Sequence, residues 1–157
     1  SYFLANDPGA ALTQYERALE YREGTEAVFQ IGWSHRMIGT NLLFLGRIDE
    51  AEGHLHKGLA IFAEAGDTSA FALHVRDFAT LALARNDPVN ALRLAGATAA
   101  LEAVSETRML DFVANSLGDL GQAIDAVGEE EAEKLLAEGR SMSVQEILDL
   151  VAYRPEA

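Results

Sequence analysis

The sequence contains no cysteine, which excludes disulfide bonds, thiol catalysis and thiolate metal sites. The absence also fits a reducing compartment, so we expect a cytoplasmic protein. No apolar run approaches the roughly 18 residues that span a bilayer. The sequence also lacks the basic segment followed by an apolar stretch that is typical of a signal peptide. Together these absences predict a soluble chain without a membrane partner.

Basic residues are scarce as well. Twelve Lys and Arg stand against 25 Asp and Glu, giving a formal net charge of −13. Such an acidic surface repels phosphate backbones, so we expect no nucleic-acid binding by this segment. The charge is compatible either with docking of basic partners or with solubility alone.

The motifs of nucleotide and hydrolase chemistry are missing too. G-x-S-x-G and G-x-G-x-x-G do not occur. The segment from Gly53 to Gly58 has the glycine spacing of a phosphate loop. However, Leu59 and Ala60 stand where the lysine and the Ser/Thr would have to be. We therefore expect no cofactor and no enzymatic activity.

Histidines are the remaining candidates for metal chemistry. His54 and His56 are two residues apart, so on a helix they point about 200° from each other and cannot share an ion. Glu50 and His54 offer two ligands, but no third ligand lies nearby in the sequence. The H-E-x-x-H motif is absent. The sequence predicts no metal site and histidines that lie on the surface.

What the chain does contain is an internal repeat with a period of 40 residues. Asn6-Asp7-Pro8 recurs as Asn86-Asp87-Pro88, and Gly46-Arg47-Ile48-Asp49 occupies the slot between them. Small and apolar residues also fall in register, as in Ala11, Ala51 and Ala91 or Tyr15, Leu55 and Ala95. A fixed period of this size is typical of a solenoid, whose units bury their apolar faces against their neighbours. This favours an extended binding surface over a catalytic pocket.

Apolar residues at helical spacing predict helices along the whole chain. Capping residues are predicted at Asp7 before Pro8, at Asp67, at Asp87 before Pro88, and at Ser143 with Glu146. Further helices are predicted to begin at Thr25, Thr107 and Glu129. Predicted ends carry a glycine in most cases, namely Gly24, Gly46, Gly66, Gly128 and Gly139. Short turns between long helices predict antiparallel neighbours.

The predicted domain organisation is a repeat array followed by a cap. Residues 1–104 form the array, and residues 105–157 form C-terminal capping helices of the same domain. Tyr2-Phe3-Leu4 resemble the tail of a helix whose beginning is missing, so we expect the array to continue upstream in a longer protein. An incomplete first repeat leaves apolar surface uncovered, which predicts a homodimer through the N-terminal helices.

The middle of the chain resembles a tetratricopeptide repeat. The family pattern has small residues at positions 8, 20 and 27 and a large residue at position 24. In the first repeat these positions hold Gly39, Ala51, Gly58 and, at position 24, Leu55. In the second repeat they hold Ala79, Ala91, Thr98 and, at position 24, Ala95. The sequence departs from the pattern in its longer period and at position 4, where His35 and Val75 replace a tryptophan. The resemblance implies an all-α, right-handed superhelix of antiparallel helix pairs with an irregular C-terminal cap.

The chain is also similar to the C-terminal segment of large bacterial LuxR-type regulators, in which an ATPase module precedes a tetratricopeptide-like tail. The similar stretches are Leu45–Ala51, Ala60–Asp67, Ala91–Ala97 and Ala137–Ser143. The resemblance implies a tail that docks or senses something within a signalling ATPase or transcription regulator, with no catalysis of its own.

The register of the repeats predicts a binding groove on the inner face of the first helix of each unit. Its lining residues would be Trp33, Arg36, Thr40 and Leu43, then Leu73, Arg76, Thr80 and Leu83. The two equivalent arginines beside a tryptophan suit a carboxylate-bearing peptide. Alternatively, the arginines pair with internal acids such as Asp77 or Glu26, and Trp33 belongs to the core.

The sequence therefore predicts protein–protein interaction as the function, with a protein, a peptide or other domains of the parent chain as partner. The alternative is a sensor whose small-molecule effector lies between the inner helices. A deep pocket would favour the sensor, and an open groove would favour docking.

Overall fold

The computed structural model describes residues 7–23, 27–105 and 120–152, and within these ranges it contains α-helices and no β-strand. The helices are α1 (Pro8–Arg22), α2 (Val28–Phe44), α3 (Ile48–Ala65), α4 (Thr68–Ala84), α5 (Pro88–Ser105), α6 (Leu120–Val127), α7 (Glu129–Arg140) and α8 (Val144–Ala152). The predicted all-α class is confirmed. In the described ranges no helix has both the length and the apolar character that crossing a membrane requires.

The helix boundaries follow the 40-residue period of the sequence. Helix α4 begins and ends 40 residues after α2, and α5 begins and ends 40 residues after α3. Helix α1 begins 40 residues before α3. The repeat in the sequence is therefore a repeat of secondary structure.

The turns that end α2 and α4 have the same backbone hydrogen bonds. Gly46 adopts a φ of 76°, and the amides of Gly46 and Arg47 donate to carbonyls of the last helical turn at 3.0 and 2.9 Å. Forty residues later Asn86 adopts a φ of 57°, and the amides of Asn86 and Asp87 donate in the same way at 3.0 and 2.9 Å. Glycine and asparagine tolerate this left-handed conformation best, so the sequence of each turn explains where the helix stops.

Three of the predicted helix starts are capped by the side chains that the sequence indicates. The carboxylates of Asp7 and Asp87 accept hydrogen bonds from the amides three residues later at 3.0 and 3.2 Å. At α8, the Ser143 hydroxyl accepts from the amide of Glu146 at 3.1 Å. The Glu146 carboxylate accepts from the amide of Ser143 at 3.2 Å, which completes the predicted capping box.

Four sequence predictions fall outside the described residues. These are the helix end at Gly24, the helix starts at Thr25 and Thr107, and the partial helix at Tyr2-Phe3-Leu4. The helix predicted to begin near Thr107 is described only from Leu120 to Val127.

The chain divides into two compact units, Ser1–Asp67 and Thr68–Ala157, called unit 1 and unit 2 below. In unit 1, α2 packs against both α1 and α3. Its core contains Leu12, Leu19, Ile38, Leu42 and Ala51, with Tyr15, Ile31 and Leu43 packed against it. Leu55 is completely buried, as its place in the repeat predicts.

In unit 2, α5 is the central helix and contacts α4, α6, α7 and α8. One core cluster contains Leu92, Ala123, Ala132 and Leu135. The predicted change from repeat array to cap near residue 104 stays a prediction.

The helix predicted to end at Gly139 continues one residue further, to Arg140. Gly139 lies inside α7 and is buried, because α7 crosses α5 closely at this point. A Cβ atom on Gly139 would overlap the backbone of Arg93, and a Cβ atom on Gly96 would overlap the backbone of Leu136. The two glycines allow α5 and α7 to approach backbone to backbone.

Candidate functional site

An aromatic cluster lies at the start of α2 in unit 1. The rings of Phe29 and Trp33 lie with their centroids 5.8 and 5.1 Å from the ring of Phe62 on α3. Phe62 is fully buried, whereas Phe29 is 50% exposed and Trp33 is 37% exposed. The cluster therefore has a buried base and an exposed surface of two large rings.

Gly32 explains how the buried ring fits between the two helices. A Cβ atom at Gly32 would lie 2.7 Å from Cε2 of Phe62, closer than any normal contact. The missing side chain gives the Phe62 ring room against α2. The ring in turn supports Phe29 and Trp33 from below.

Arg36 extends the exposed aromatic surface by one helical turn. Its guanidinium carbon lies 5.9 Å from the centroid of the Trp33 ring, within the range of a cation–π interaction. Phe29, Trp33, Arg36 and Thr40 follow the spacing i, i+4, i+7 and i+11, so they share one side of α2. We call these four residues the α2 face.

The other predicted groove residues have different environments. On α2, Leu43 is half-buried and packs against the unit 1 core. On α4, in unit 2, Leu73 is half-buried, Thr80 is exposed, and Leu83 packs against the unit 2 core. The hydroxyls of Thr40 and Thr80 both donate to a carbonyl of their own helix, at 3.2 and 3.3 Å.

Arg76, the predicted counterpart of Arg36, lies in the interior of unit 2. It is 6% exposed, and its Nη2 atom lies 3.2 Å from a carboxylate oxygen of Glu102 on α5. The sequence suggested Asp77 or Glu26 as internal partners for the arginines. Glu102 was not anticipated, and Glu26 lies outside the described residues. A buried guanidinium in an ion pair is a poor donor for a partner at the surface. Of the two predicted arginines, only Arg36 on α2 is therefore placed to contact a partner.

The histidines differ most from the sequence prediction. The prediction of surface histidines is wrong for His35 and His74, which are 4% and 0% exposed. The Nδ1 atom of His74 lies 2.7 Å from the carbonyl oxygen of Ala70. The packing of their helices, which the local sequence does not reveal, puts both rings in the interior.

His35 on α2 and His54 on α3 form a pair, with 3.0 Å between their Nδ1 atoms. Burial, followed by the nearby charge of His54 and then of Lys57, lowers the pKa of His35 to about 4. Burial and Lys57 lower the pKa of His54 as well, although Glu16, Glu50 and Glu23 oppose the shift. Both rings are therefore neutral at pH 7.

His56 points away from this pair, as the two-residue spacing predicts. Its Nε2 atom lies 3.5 Å from the carboxylate of Glu52 one turn earlier. Within residues 7–23, 27–105 and 120–152, no group of three or more His, Asp or Glu side chains is arranged to hold a metal ion.

A separate groove of about 870 Å³ lies on unit 2 between α5, α7 and α8. It is open to solvent, and its lining includes Arg93, Lys134, Glu138, Glu146 and Asp149. Arg93 donates to Glu138 at 3.0 Å, so this cation is already engaged in an ion pair.

Two features of unit 1 escaped sequence reasoning. Phe29 stands four residues before Trp33, and that spacing was a signal that the predicted groove begins one turn earlier. The contact of His35 with His54 follows from the antiparallel register that brings Gly32 to Phe62 and Gly39 to Leu55. Periodicity along one helix cannot show a contact between two helices.

Comparisons with protein-family models, curated proteins and solved structures found no match for this chain.

Proposed function

We propose that this chain is a tetratricopeptide-like docking module that binds a partner protein or peptide through the α2 face. The repeat geometry supports the family resemblance. The residues at positions 8, 20 and 27 are buried in both repeats, as the close approach of paired helices requires. Position 4 is buried as well, although it holds His35 and Val75. A right-handed superhelix within a larger LuxR-type regulator is part of this proposal.

The observation that carries the proposal is the exposure of Phe29 and Trp33 on a base that is itself buried. Large rings held in place by packing bind with little loss of side-chain freedom, and tryptophan and arginine are enriched among residues that dominate binding energy. Neighbouring apolar rings that remain exposed are a common mark of protein interaction sites.

Arg36 indicates the chemistry of the partner. The chain carries a net charge of −13, yet the α2 face presents a guanidinium over an aromatic ring. A segment with a large apolar side chain and a nearby Asp or Glu would match both parts of this face. The apolar side chain would pack on Trp33 and Phe29, and the carboxylate would lie at Arg36.

Selection from a displayed library of random 16-residue peptides tests the proposal. We expect enriched sequences in which an aromatic or large aliphatic residue lies within one helical turn of Asp or Glu. Trp33→Ala should weaken the selected peptides by about tenfold or more, and Arg36→Glu should favour peptides with Lys or Arg instead.

The matched control is Tyr21→Ala, because Tyr21 is an 86% exposed aromatic residue of α1 in the same unit. This change should leave the affinity of the selected peptides unaltered. Failure to enrich any peptide, or enrichment that Trp33→Ala does not affect, would rule out docking at the α2 face.

A small-molecule sensor is the second candidate, and the groove on unit 2 favours it. Its volume of about 870 Å³ falls within the range of ligand pockets, although it is open and does not lie at the predicted place in the array. A screen of charged metabolites by thermal shift, repeated with Lys134→Glu, tests this function. A ligand that stabilises the parent chain but not the variant would support it.

A further inference from the structure

We propose that His35 and His54 form an acid-sensitive contact between α2 and α3, and that acidification, by breaking it, releases a partner from the α2 face. The second half of this inference rests on the docking function proposed above. The first half concerns the free protein and stands by itself.

The two imidazole rings face each other head to head. Their Nδ1 atoms are 3.0 Å apart and their ring centroids are 5.2 Å apart. The difference between the two distances is about two ring radii, so both Nδ1 atoms lie close to the line that joins the ring centres. This geometry is that of an N–H···N hydrogen bond. The pair by itself supplies only two nitrogen ligands, and among the described residues no third His, Asp or Glu is placed to complete a metal site with it.

The hydrogen bond requires one proton between the two Nδ1 atoms. In the neutral pair, one ring donates its Nδ1–H to the lone pair of the other ring. A first extra proton on the far nitrogen of the donor ring keeps this bond and gives it a charge. A second extra proton must go onto the accepting Nδ1. That nitrogen then has no lone pair left to accept the hydrogen bond, and two positively charged rings point N–H groups at each other. The contact therefore breaks when both rings are protonated.

Charged groups from the neighbouring helices determine which ring is protonated first. Lys57 and Glu50 face the pair from α3, and Glu16 and Glu23 act on it from α1 and its C-terminal cap. The carboxylates raise the pKa of His54 against the effect of burial, so His54 takes the first proton and His35 takes the second. Arg22 of α1 donates to Ser34, the neighbour of His35, at 2.7 Å and adds a further positive charge on this side.

The sign of the pH effect follows from these shifts. Each histidine has a lower pKa in the folded chain than the ordinary value of 6.5, so the unfolded chain takes up protons first. The stability that the neutral pair contributes is therefore present above about pH 6.5. It is lost as the pH falls from 6.5 towards 4.

The α2 face depends on the same helix interface. Trp33 belongs to α2 and rests on Phe62 of α3, so their contact spans the two helices that the histidine pair joins. Charge repulsion between His35 and His54 pushes α2 from α3 and removes the support of the Trp33 ring.

Trp33 is the only tryptophan of the chain, so its fluorescence reports directly on the α2 face. The test is a fluorescence titration of the whole chain from pH 7.5 to 4, beside NMR titration of the histidine side chains. We expect a cooperative change in Trp33 emission within this window, together with titration of His35 below the normal range. His54→Asn should remove this change. The matched control, His56→Asn, should retain it, because His56 lies on the same helix but pairs with Glu52.

Binding is measured with the peptide selected at pH 7.5. We expect its affinity at pH 4 to be severalfold lower for the parent chain and for His56→Asn than for His54→Asn. A normal histidine pKa near 6.5 at both positions, or an emission change that persists in His54→Asn, would overturn the acid-sensitive contact. An emission change without any loss of peptide affinity would overturn the regulation alone. If no peptide binds at pH 7.5, the docking function fails, and the fluorescence and NMR results still decide on the histidine pair.

Discussion

Units 1 and 2 both use glycine to bring helices together, but the glycines meet different neighbours. In unit 1, Gly39 faces the side chain of Leu55, whose Cδ2 atom lies 2.7 Å from where a Cβ would stand. In unit 2, Gly96 and Gly139 face the backbone of the opposite helix. A side chain can change its rotamer when a neighbour grows, whereas a helix backbone can only move as a whole.

The two units also differ in what they expose. In the part of the chain that the structure describes, six of the exposed large apolar residues belong to unit 1, namely Tyr21, Val28, Phe29, Trp33, Phe44 and Leu45. Unit 2 contributes Val104 and Val144. The larger exposed apolar surface of unit 1 agrees with the docking role proposed for it, whereas Gly96 and Gly139 make α5 and α7 of unit 2 a closely packed pair.

The largest effect is expected from Leu55→Asp in unit 1. Leu55 is fully buried, and an unpaired carboxylate there should cost about 4 kcal/mol or more and unfold the unit. Circular dichroism and thermal melting measure this loss. Leu45→Asp is the control, because Leu45 is 42% exposed and should tolerate the charge. Unchanged melting of Leu55→Asp would show that the packing of α2 on α3 is wrong.

Gly139→Ala tests the rigid contact of unit 2 and is expected to have the next largest effect. The added methyl group overlaps the backbone of Arg93, so α5 and α7 must separate, at a cost of about 3 kcal/mol. Chemical denaturation should show this loss, and Gly96→Ala should behave in the same way. Glu133→Ala at an exposed site on α7 should change stability by less than about 0.5 kcal/mol.

Gly39→Ala tests the adjustable contact of unit 1 with the same chemical change. Leu55 can give way in part, so the expected loss is about 1–2 kcal/mol. The comparison of the two units depends on the difference between the denaturation results for Gly39→Ala and Gly139→Ala. If Gly39→Ala lost as much stability as Gly139→Ala, or more, the contact in unit 1 would not be the more adjustable of the two.

Gly53→Ala should give the smallest effect and the opposite sign. Gly53 lies inside α3 with nothing within 4 Å of its missing Cβ, so alanine adds helix propensity without a clash. We expect a gain of about 0.5–1 kcal/mol in the free energy of unfolding. A loss at this position would mean that another surface covers this side of α3.

Local signals in the sequence predicted local structure well. Asp7 and Asp87 cap their helices, Gly46 and Gly66 adopt left-handed conformations after α2 and α3, and Ser143 forms its box with Glu146. Each of these features depends on a few neighbouring residues, so the sequence contains all the information that is needed.

Predictions that relied on one helix alone were less successful. Gly139 has the sequence context of a helix end, yet it serves the contact between α5 and α7. Of the predicted groove, Trp33 and Arg36 are accessible on α2, while Arg76 is paired inside unit 2. The repeat register placed Arg36 and Arg76 at equivalent positions, but their burial depends on neighbours that the register does not describe.

The sequence by itself determined the all-α class, the 40-residue spacing of the helices and the residues that start and stop most of them. These follow from hydrophobic periodicity, capping and backbone preferences, all of which act within about one or two helical turns. Only the tertiary structure decided that His35 meets His54, that Phe62 supports Trp33, and that Gly96 and Gly139 join two backbones. These contacts join residues 19 to 46 positions apart, and their geometry depends on how whole helices pack.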